Sequence, residues 1–357
     1  MQKLEILKKL ISFNTIDDKE NKLINEYVSE YLEKLGFKTT KIYNEENNKY
    51  CLVATYKNNI NLTFSGHTDT VGVEESWNTN PFELEIKENK IYGLGTCDMK
   101  GGIATFLEAL RKVDLLKLNK GIQIILTYDE ETNFEGINLM KNKKIETADN
   151  IVIGEPTNLV PVIGTKGCIE YEVIFKGISA HSSEILSGEN AIEKCNSFIN
   201  ELLNFSNELK SDINERFSIP YTTMNIGIIE GGKSINVVPN TCKLSFDFRT
   251  IDKKQHDIIN KKIEKLSNKY NAEYNKVNDV SPILIKNESE IDFLETLTNN
   301  QTKCFNYVTE GSFYDKDNII ILGPGPMNAH KTNEYIDLES YEKIIEIYIK
   351  LIEKYCK

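Results

Sequence analysis

The chain has 357 residues, which is long for a single hydrophobic core and sufficient for two domains. Its composition, 40% hydrophobic and 27% charged, is that of an ordinary globular protein, and no apolar run approaches the roughly 18 residues that a membrane span requires. The formal net charge of −11 argues against nucleic acid as a partner, because binding to a phosphate backbone requires a basic face.

The N-terminal residues Met1 to Leu10 place lysines among leucines at helical spacing, without a small-residue cleavage site. This pattern predicts an amphipathic helix rather than a secretory signal. The seven cysteines are an odd number, widely scattered, and include no Cys-x-x-Cys pair, which favours free thiols in a reducing compartment. We therefore expect a cytoplasmic protein that makes no contact with a membrane.

Strands and helices alternate in the first half of the chain. The strands predicted from short apolar runs are Asn61 to Ser65, Gly121 to Thr127 and Asn150 to Ile153. The helices predicted from apolar residues at helical spacing are Ile24 to Leu35, Met99 to Val113 and Phe134 to Met140. This alternation favours an α/β domain with a largely parallel sheet.

The pattern changes near Gly167 and returns to the first style after Pro282. The elements between them follow the order β-α-β-β-α-β, which is that of a ferredoxin-like sandwich. They are Cys168 to Lys176, Asn190 to Leu209, Thr222 to Glu230, Thr241 to Arg249, Lys253 to Lys269 and Ala272 to Val277. We predict that residues 167–281 form a small domain inserted into a larger one, which consists of residues 1–166 and 282–357.

Residues suited to metal binding follow the extended segments of the larger domain. His67 ends the first predicted strand, and Asp69, two residues on, can hold the second nitrogen of its imidazole. Further acids follow at Asp98, at Asp129-Glu130-Glu131 and at Glu155. Sites form at the carboxyl ends of parallel strands, and acids gathered there would repel one another unless cations held them. Imidazole and carboxylate ligands suit zinc, with cobalt or manganese as substitutes.

Each of these residues alone has an ordinary structural explanation. His67 could be a buried histidine bonded to a loop, Asp98 a helix N-cap, and the run Asp129 to Glu131 a solvated turn. The combination at successive strand ends favours a metal centre, because solvation does not explain it.

Several segments together resemble the acetylornithine deacetylase and succinyl-diaminopimelate desuccinylase family of dinuclear zinc metallopeptidases. They occur in order over nearly the whole chain, at 66–71, 91–102, 127–136, 153–157, 179–192, 222–250 and 321–337. The Asn306-to-Glu310 stretch and the Gly323-Pro324-Gly325 turn resemble the acetylornithine branch. The resemblance implies a zinc-exopeptidase-like catalytic domain of α/β class with a mostly parallel sheet, plus an inserted ferredoxin-like domain for dimerisation that also acts as a lid.

The resemblance implies a metal ligand at each of five positions. Asp98 would bridge two zinc ions. His67 and Glu155 would complete the site of one ion, and Glu131 and His330 would complete that of the other.

The resemblance also implies roles for residues around the metals. Glu130 would be the general base, and Asp69 would hold the imidazole of His67. His181, in the inserted domain, would reach the active site of the partner subunit in a homodimer and stabilise the oxyanion. A cis peptide bond between Asp98 and Met99 is a further expectation.

Four further residues are interpreted individually. Arg249 ends a predicted strand, and its guanidinium can grip the α-carboxylate of a substrate with help from Asn236; the alternative is an internal ion pair. His256 matches no motif and is interpreted as a surface helix residue. Cys97 is interpreted as a small buried residue, with a thiolate that competes for metal as the alternative.

The implied activity is hydrolysis of an N-acyl amino acid, with N2-acetyl-L-ornithine as substrate in arginine biosynthesis. The alternatives within the family are a desuccinylase, a dipeptidase, or a deacetylase for acetyl-lysine or acetyl-citrulline. A non-catalytic metal-binding scaffold belongs to a different class and would have lost the base or a ligand, whereas Glu130 and all five ligands are present.

Overall fold

The computed structural model describes residues 4–16, 19–44, 48–326 and 328–357. The chain divides into two compact units. The first comprises Met1–Ile163, Ile285–Lys303 and Phe313–Lys357, and the second comprises Gly164–Leu284 and Cys304–Ser312. Within the described part of the chain, no helix combines the length and the hydropathy needed to span a membrane.

The elements up to Thr165 are a mixture of helices and strands. In chain order they are α1 (Glu5–Ile11), α2 (Lys22–Lys34), β1 (Lys38–Tyr43), β2 (Tyr50–Tyr56), β3 (Ile60–His67), β4 (Glu85–Lys87), β5 (Lys90–Tyr92), α3 (Lys100–Lys112), β6 (Gly121–Thr127), α4 (Glu135–Asn142), β7 (Asn150–Ile153) and β8 (Val162–Thr165). Helix α1 covers residues 5–10 of the predicted N-terminal helix, with Leu4 at its N-cap position, while residues 1–3 lie outside the described residues.

The remaining elements begin with those of the second unit. They are β9 (Gly167–Lys176), α5 (Ala191–Leu209), β10 (Thr223–Gly231), β11 (Thr241–Thr250), α6 (Lys253–Lys269), β12 (Glu273–Val280), β13 (Ile283–Leu284), α7 (Glu288–Thr298), β14 (Lys303–Phe305), β15 (Asn318–Ile321), β16 (Tyr335–Asp337) and α8 (Leu338–Cys356).

The sheet of the first unit has the strand order β1-β2-β6-β3-β7-β15. Strands β6, β3, β7 and β15 run parallel to one another, whereas β1 and β2 are added antiparallel at one side. Strand β6 is buried along its full length, as expected for a strand covered on both faces. Helices α3 and α8 cover one face, where Phe64 of β3 stacks on Phe106 and meets Tyr348 edge-on. The predicted mostly parallel α/β architecture is confirmed.

The second unit has an antiparallel sheet in the order β10-β11-β9-β12, with β10 and β12 at its edges. Its core is rich in aromatic side chains, among them Phe175, Phe198 and Phe246, which come from both strands and helices. Helix α6 begins where the side chain of Asp252 accepts a hydrogen bond from the backbone N–H of Gln255. The predicted order β-α-β-β-α-β is confirmed.

The segment Cys304–Ser312 belongs to the second unit, whereas the sequence analysis assigns it to the larger domain. Long-range backbone pairing accounts for this difference. Cys304 forms a parallel bridge with Phe217, and the backbone N–H of Lys166 donates to Phe305. The hydroxyls of Thr165 and Ser312 lie 2.9 Å apart. No local pattern in the sequence reports such contacts.

The prediction that His256 lies on the surface is wrong. Its side chain belongs to α6 but is buried, with 4% exposure. Nδ1 lies 3.1 Å from the hydroxyl of Thr250, and Nε2 lies 2.6 Å from Oδ1 of Asp279. Burial of this imidazole is tolerated because both ring nitrogens have polar partners.

All seven cysteines, each in the described part of the chain, are buried, and none forms a disulfide bond. The predicted thiol state is therefore confirmed. Burial raises the pKa of the thiols at Cys168, Cys195 and Cys304 to about 12, which keeps these side chains neutral.

Candidate metal centre and active site

Parallel strands bring most of the candidate ligands to one edge of the first unit's sheet. His67 is the last residue of β3, the run Asp129 to Glu131 follows β6, and Glu155 follows β7. Asp129 adopts a left-handed conformation with φ 57°, so the chain turns sharply after β6. Within this turn, the backbone N–H of Phe134 donates to the carbonyl of Asp129 at 2.7 Å.

Asp98 lies between two imidazoles. Its Oδ1 is 3.1 Å from Nε2 of His67, and its Oδ2 is 3.4 Å from Nε2 of His330. The residue precedes α3, but its side chain does not cap that helix, whose N-cap position is Met99. The peptide bond between Asp98 and Met99 is cis, as the resemblance implies.

Each imidazole also faces a second carboxylate. Nε2 of His67 lies 3.5 Å from Oε1 of Glu155, and Nε2 of His330 lies 2.9 Å from Oε2 of Glu131. The other nitrogen of His67 lies 3.1 Å from the carbonyl oxygen of Asp69 and 3.5 Å from its Oδ1. Nε2 of His67 is thereby left facing the acids, while Asp69 orients the ring.

Charge is concentrated at this cluster. Burial by itself would raise the pKa of Asp98, but hydrogen bonds with His330 and His67 outweigh it and hold the pKa below its usual range. Hydrogen bonds to Asp98 and Glu131 raise the pKa of His330 to about 10. Burial opposes a positive charge on His67, yet its acidic neighbours, Asp69 foremost, hold its pKa well above the usual value. The acids therefore create a strong local preference for positive charge.

These donors fit divalent cations. One ligand atom from each of His67, Asp98 and Glu131 lies within 4.8 Å of the other two. Imidazole nitrogens and carboxylate oxygens are the ligands that zinc takes in catalytic sites. Two sets of donors are present, one centred on each imidazole, and Asp98 belongs to both.

Glu130 lies beside the cluster and is partly buried. Burial raises the pKa of its carboxyl well above the usual value; His67 opposes this shift, while Glu155, Asp98 and Glu131 add to it. The structure thus brings together all seven residues that the sequence analysis assigns to the metal centre. These are His67, Asp69, Asp98, Glu130, Glu131, Glu155 and His330.

The candidate residues of the second unit lie in two places. The exposed His181 accepts a hydrogen bond from the backbone N–H of Ser183, and its segment meets that of Asn236 because the N–H of Ser182 donates to the Asn236 carbonyl at 3.0 Å. Arg249 lies on β11, where its Nε donates to Oδ1 of Asp247 at 3.0 Å. Arg249 therefore makes an ion pair within its own domain, which is the alternative to a role in substrate binding.

Cys97 is fully buried, and its thiol donates to the carbonyl of Pro326 at 2.9 Å. Burial, followed by the nearby Glu334, raises the pKa of the thiol, so the neutral form is favoured. This result supports the interpretation of Cys97 as a small buried residue rather than a thiolate that competes for metal.

Sequence reasoning missed two charged residues beside the ligands. Lys49 is 4% exposed, and its Nζ lies 2.6 Å from Oδ1 of Asp129. Glu334 is 2% exposed and accepts hydrogen bonds from the loop that carries Asp98. For Glu334, the sequence shows only that it follows His330 by four residues, and this spacing alone does not predict a contact with the ligands.

Comparison with known proteins identifies the family of this chain. Residues 63–354 match the model of peptidase family M20/M25/M40, and the chain therefore belongs to that family. It is a metal-dependent enzyme that hydrolyses amide bonds, and the resemblance inferred from its residues is confirmed. Among its relatives is a protein named acetylornithine deacetylase from Pasteurella multocida, which is 33% identical over 353 residues. The match covers 95% of this chain and 92% of that protein.

Two solved structures show the same fold. A tripeptidase from Staphylococcus aureus has a TM-score of 0.72 and 21% identity, with 98% of each chain covered. The Bacillus subtilis YXEP protein, described as a dinuclear metal-binding peptidase of the M20 family, has a TM-score of 0.69 and 13% identity, with 99% of this chain and 98% of that chain covered.

Proposed function

We propose that this enzyme removes the acyl group of an N-acyl amino acid, with N2-acetyl-L-ornithine as its substrate. The observation that carries the proposal is the pair of donor sets that share Asp98, beside the partly buried Glu130. The choice of substrate rests on relatives that are named acetylornithine deacetylase and match almost the full length of the chain.

We propose zinc as the metal, with two ions per chain. His67 and Glu155 would hold one ion, Glu131 and His330 the other, and Asp98 both. When bound, such ions lower the pKa of a water molecule and polarise the acyl carbonyl. The metal-binding character of the YXEP protein and the donor set of this chain support this assignment.

Glu130 is the proposed general base. Its carboxylate would take a proton from the attacking water and return it to the departing amine. A base is most effective when its pKa lies near the working pH, and burial moves the pKa of Glu130 upward, in that direction. Glu131 differs from it because His330 engages its carboxylate directly.

We propose that the second unit contributes to binding and catalysis. His181 would stabilise the oxyanion of the partner subunit's site, and Arg249, with Asn236, would bind the α-carboxylate of the substrate. A substrate carboxylate would compete with Asp247 for the Arg249 guanidinium. A homodimer is supported by the free edge of β10, where Ile228 and Ile229 are more than half exposed. The buried thiols support the cytoplasm as the compartment.

The test is a panel of N-acyl amino acids, each assayed by kcat/KM with metal-free protein, with added zinc and with added cobalt. N2-acetyl-L-ornithine should be the best substrate, and activity should disappear with a chelator and return with metal. A preference for N-succinyl-diaminopimelate, acetyl-lysine, acetyl-citrulline or a dipeptide would move the assignment within the family. Full activity of thoroughly metal-free protein would refute the metal centre.

A further inference from the structure

One buried carboxylate holds the loop that carries Asp98. Oε1 of Glu334 accepts hydrogen bonds from the backbone N–H groups of Cys97 at 2.6 Å and Asp98 at 3.0 Å. Oε2 accepts from the N–H of Gly95 at 3.0 Å. The carbonyl of Glu334 also accepts from the N–H of Gly93 at 3.2 Å. A single residue therefore satisfies four backbone donors within six consecutive positions.

Glu334 belongs to the segment that carries His330, the second imidazole beside Asp98. His330 lies four residues earlier, in a left-handed conformation with φ 60°, and its side chain is 54% exposed. The segment is fixed on the far side of Glu334, where Tyr335 begins β16 and pairs with Tyr92 of β5. Glu334 thus lies between an anchored strand and an exposed ligand, and its carboxylate contacts the backbone of Asp98.

The three N–H donors come from one short loop, at Gly95, Cys97 and Asp98, and all point at the Glu334 carboxyl group. Three hydrogen bonds, two to Oε1 and one to Oε2, fix the carboxyl group relative to the loop. The backbone N–H of Asp98 belongs to the same residue whose side chain lies between His67 and His330. A shift of this loop would therefore change the distance from Asp98 to both imidazoles at once.

We propose that Glu334 is a positioning residue that fixes the Asp98 carboxylate relative to His330, so that the two metal sites form together. The inference rests on the proposed function, since it takes Asp98 and His330 as metal ligands. Glu334 itself contacts neither substrate nor metal in this scheme. A residue that orients a ligand in this way typically changes metal affinity by about 10- to 100-fold when it is replaced.

The test measures metal binding directly. Metal-free parent protein, Glu334→Gln and Glu334→Asp would each be titrated with Co²⁺, with the visible absorption of the bound ion and calorimetry as readouts. Glutamine retains the size but replaces one accepting oxygen with a donor, and aspartate retains the carboxyl group but is shorter. Both should lower Co²⁺ affinity about 10- to 100-fold and change the absorption spectrum, with the binding of two ions no longer coupled.

A matched control comes from another buried glutamate of the same unit. Glu290 is 7% exposed and pairs with Lys354 at 2.6 Å on the helices α7 and α8. Glu290→Gln should lower the melting temperature of the metal-free protein without a change in Co²⁺ affinity or spectrum.

The outcomes are separable. Co²⁺ binding by Glu334→Gln and Glu334→Asp equal to that of the parent would overturn the inference and leave the proposed function standing. Failure of the parent itself to bind Co²⁺ would refute the proposed metal centre instead. If both Glu334 variants are unfolded while Glu290→Gln is folded, the Glu334 carboxyl group is required for the fold rather than for the metals, and the inference is equally overturned.

Discussion

Glu130 and Glu131 are adjacent and of the same type, but the protein surrounds them differently. The carboxylate of Glu131 contacts His330, and its backbone N–H donates to Oδ2 of Asp69 at 3.1 Å. Glu130→Gln should retain metal and lose kcat by about 10²- to 10⁴-fold, because the base is removed while the ligands stay. Glu131→Gln should instead weaken the binding of one metal ion. The checks are elemental analysis and steady-state kinetics of each variant; equal metal loss in both would contradict the distinction.

The ion pair between Lys49 and Asp129 is also a property of single residues. Both side chains are almost fully buried, so removal of the cation leaves the Asp129 carboxylate buried without that opposite charge. Burial already raises the pKa of Asp129, and Lys49 opposes that rise. Lys49→Met should lower the free energy of unfolding by about 3–5 kcal/mol, measured by denaturant titration. The double variant with Asp129→Asn should recover part of this loss; if it is no more stable than Lys49→Met alone, the buried charge is not the cause.

At the scale of elements, helix α3 approaches the backbone of a neighbouring ligand segment. A Cβ added to Gly102 would lie 2.0 Å from the carbonyl oxygen of Gly154, next to Glu155. Gly102→Ala should therefore lower the free energy of unfolding by about 1–3 kcal/mol or more and reduce metal affinity, because the Glu155 segment must move. Gly227→Ala is the matched control, since the nearest atom to its added Cβ is 3.7 Å away. Thermal melting and Co²⁺ titration of both variants test the prediction, and similar effects in the two would refute it.

Elements with a strong local pattern were predictable from the sequence. The bounds of β6, β7 and α6 agree with the prediction, because each is a continuous apolar or periodic run with polar residues on both sides. The ligands at the ends of β3, β6 and β7 followed from the same pattern, since parallel strands share one edge. Strands β1 and β2 were not predicted, and their pairing at the side of the sheet has no signal of its own.

The contacts that the sequence did not predict join residues that lie far apart in the chain. Glu334 meets backbone N–H groups more than 230 positions away, and Lys49 meets an acid 80 positions away. The buried ring of His256 has one polar partner nearby in sequence, Thr250, and a second on another element, Asp279 of β12. A helical pattern shows which face of a helix is apolar, but it does not show which polar groups find partners inside.

At the scale of the whole molecule, the proposed dimer makes a test by complementation possible. Glu130→Ala and His181→Ala should each be inactive, and their mixture should regain activity after the subunits exchange. In a mixed dimer with a shared site, one site carries both defects and the other carries neither. Random exchange should therefore restore about a quarter of parental activity, because half of the dimers are mixed and each has one intact site. No recovery despite exchange shown by mass spectrometry would refute a shared site.

Because all seven thiols are buried, their reaction with a thiol reagent can report local opening of the structure. Cys51, Cys97 and Cys356 lie in the first unit, and Cys168, Cys195, Cys242 and Cys304 lie in the second. A thiol reagent can reach a buried sulfur only when the surrounding structure opens, so each modification rate measures the free energy of one local opening. Peptide mass mapping after timed labelling would give separate stability profiles for the two units, without any engineered probe. Bound metal should slow the labelling of Cys97 far more than that of Cys195, which lies in the core of the other unit.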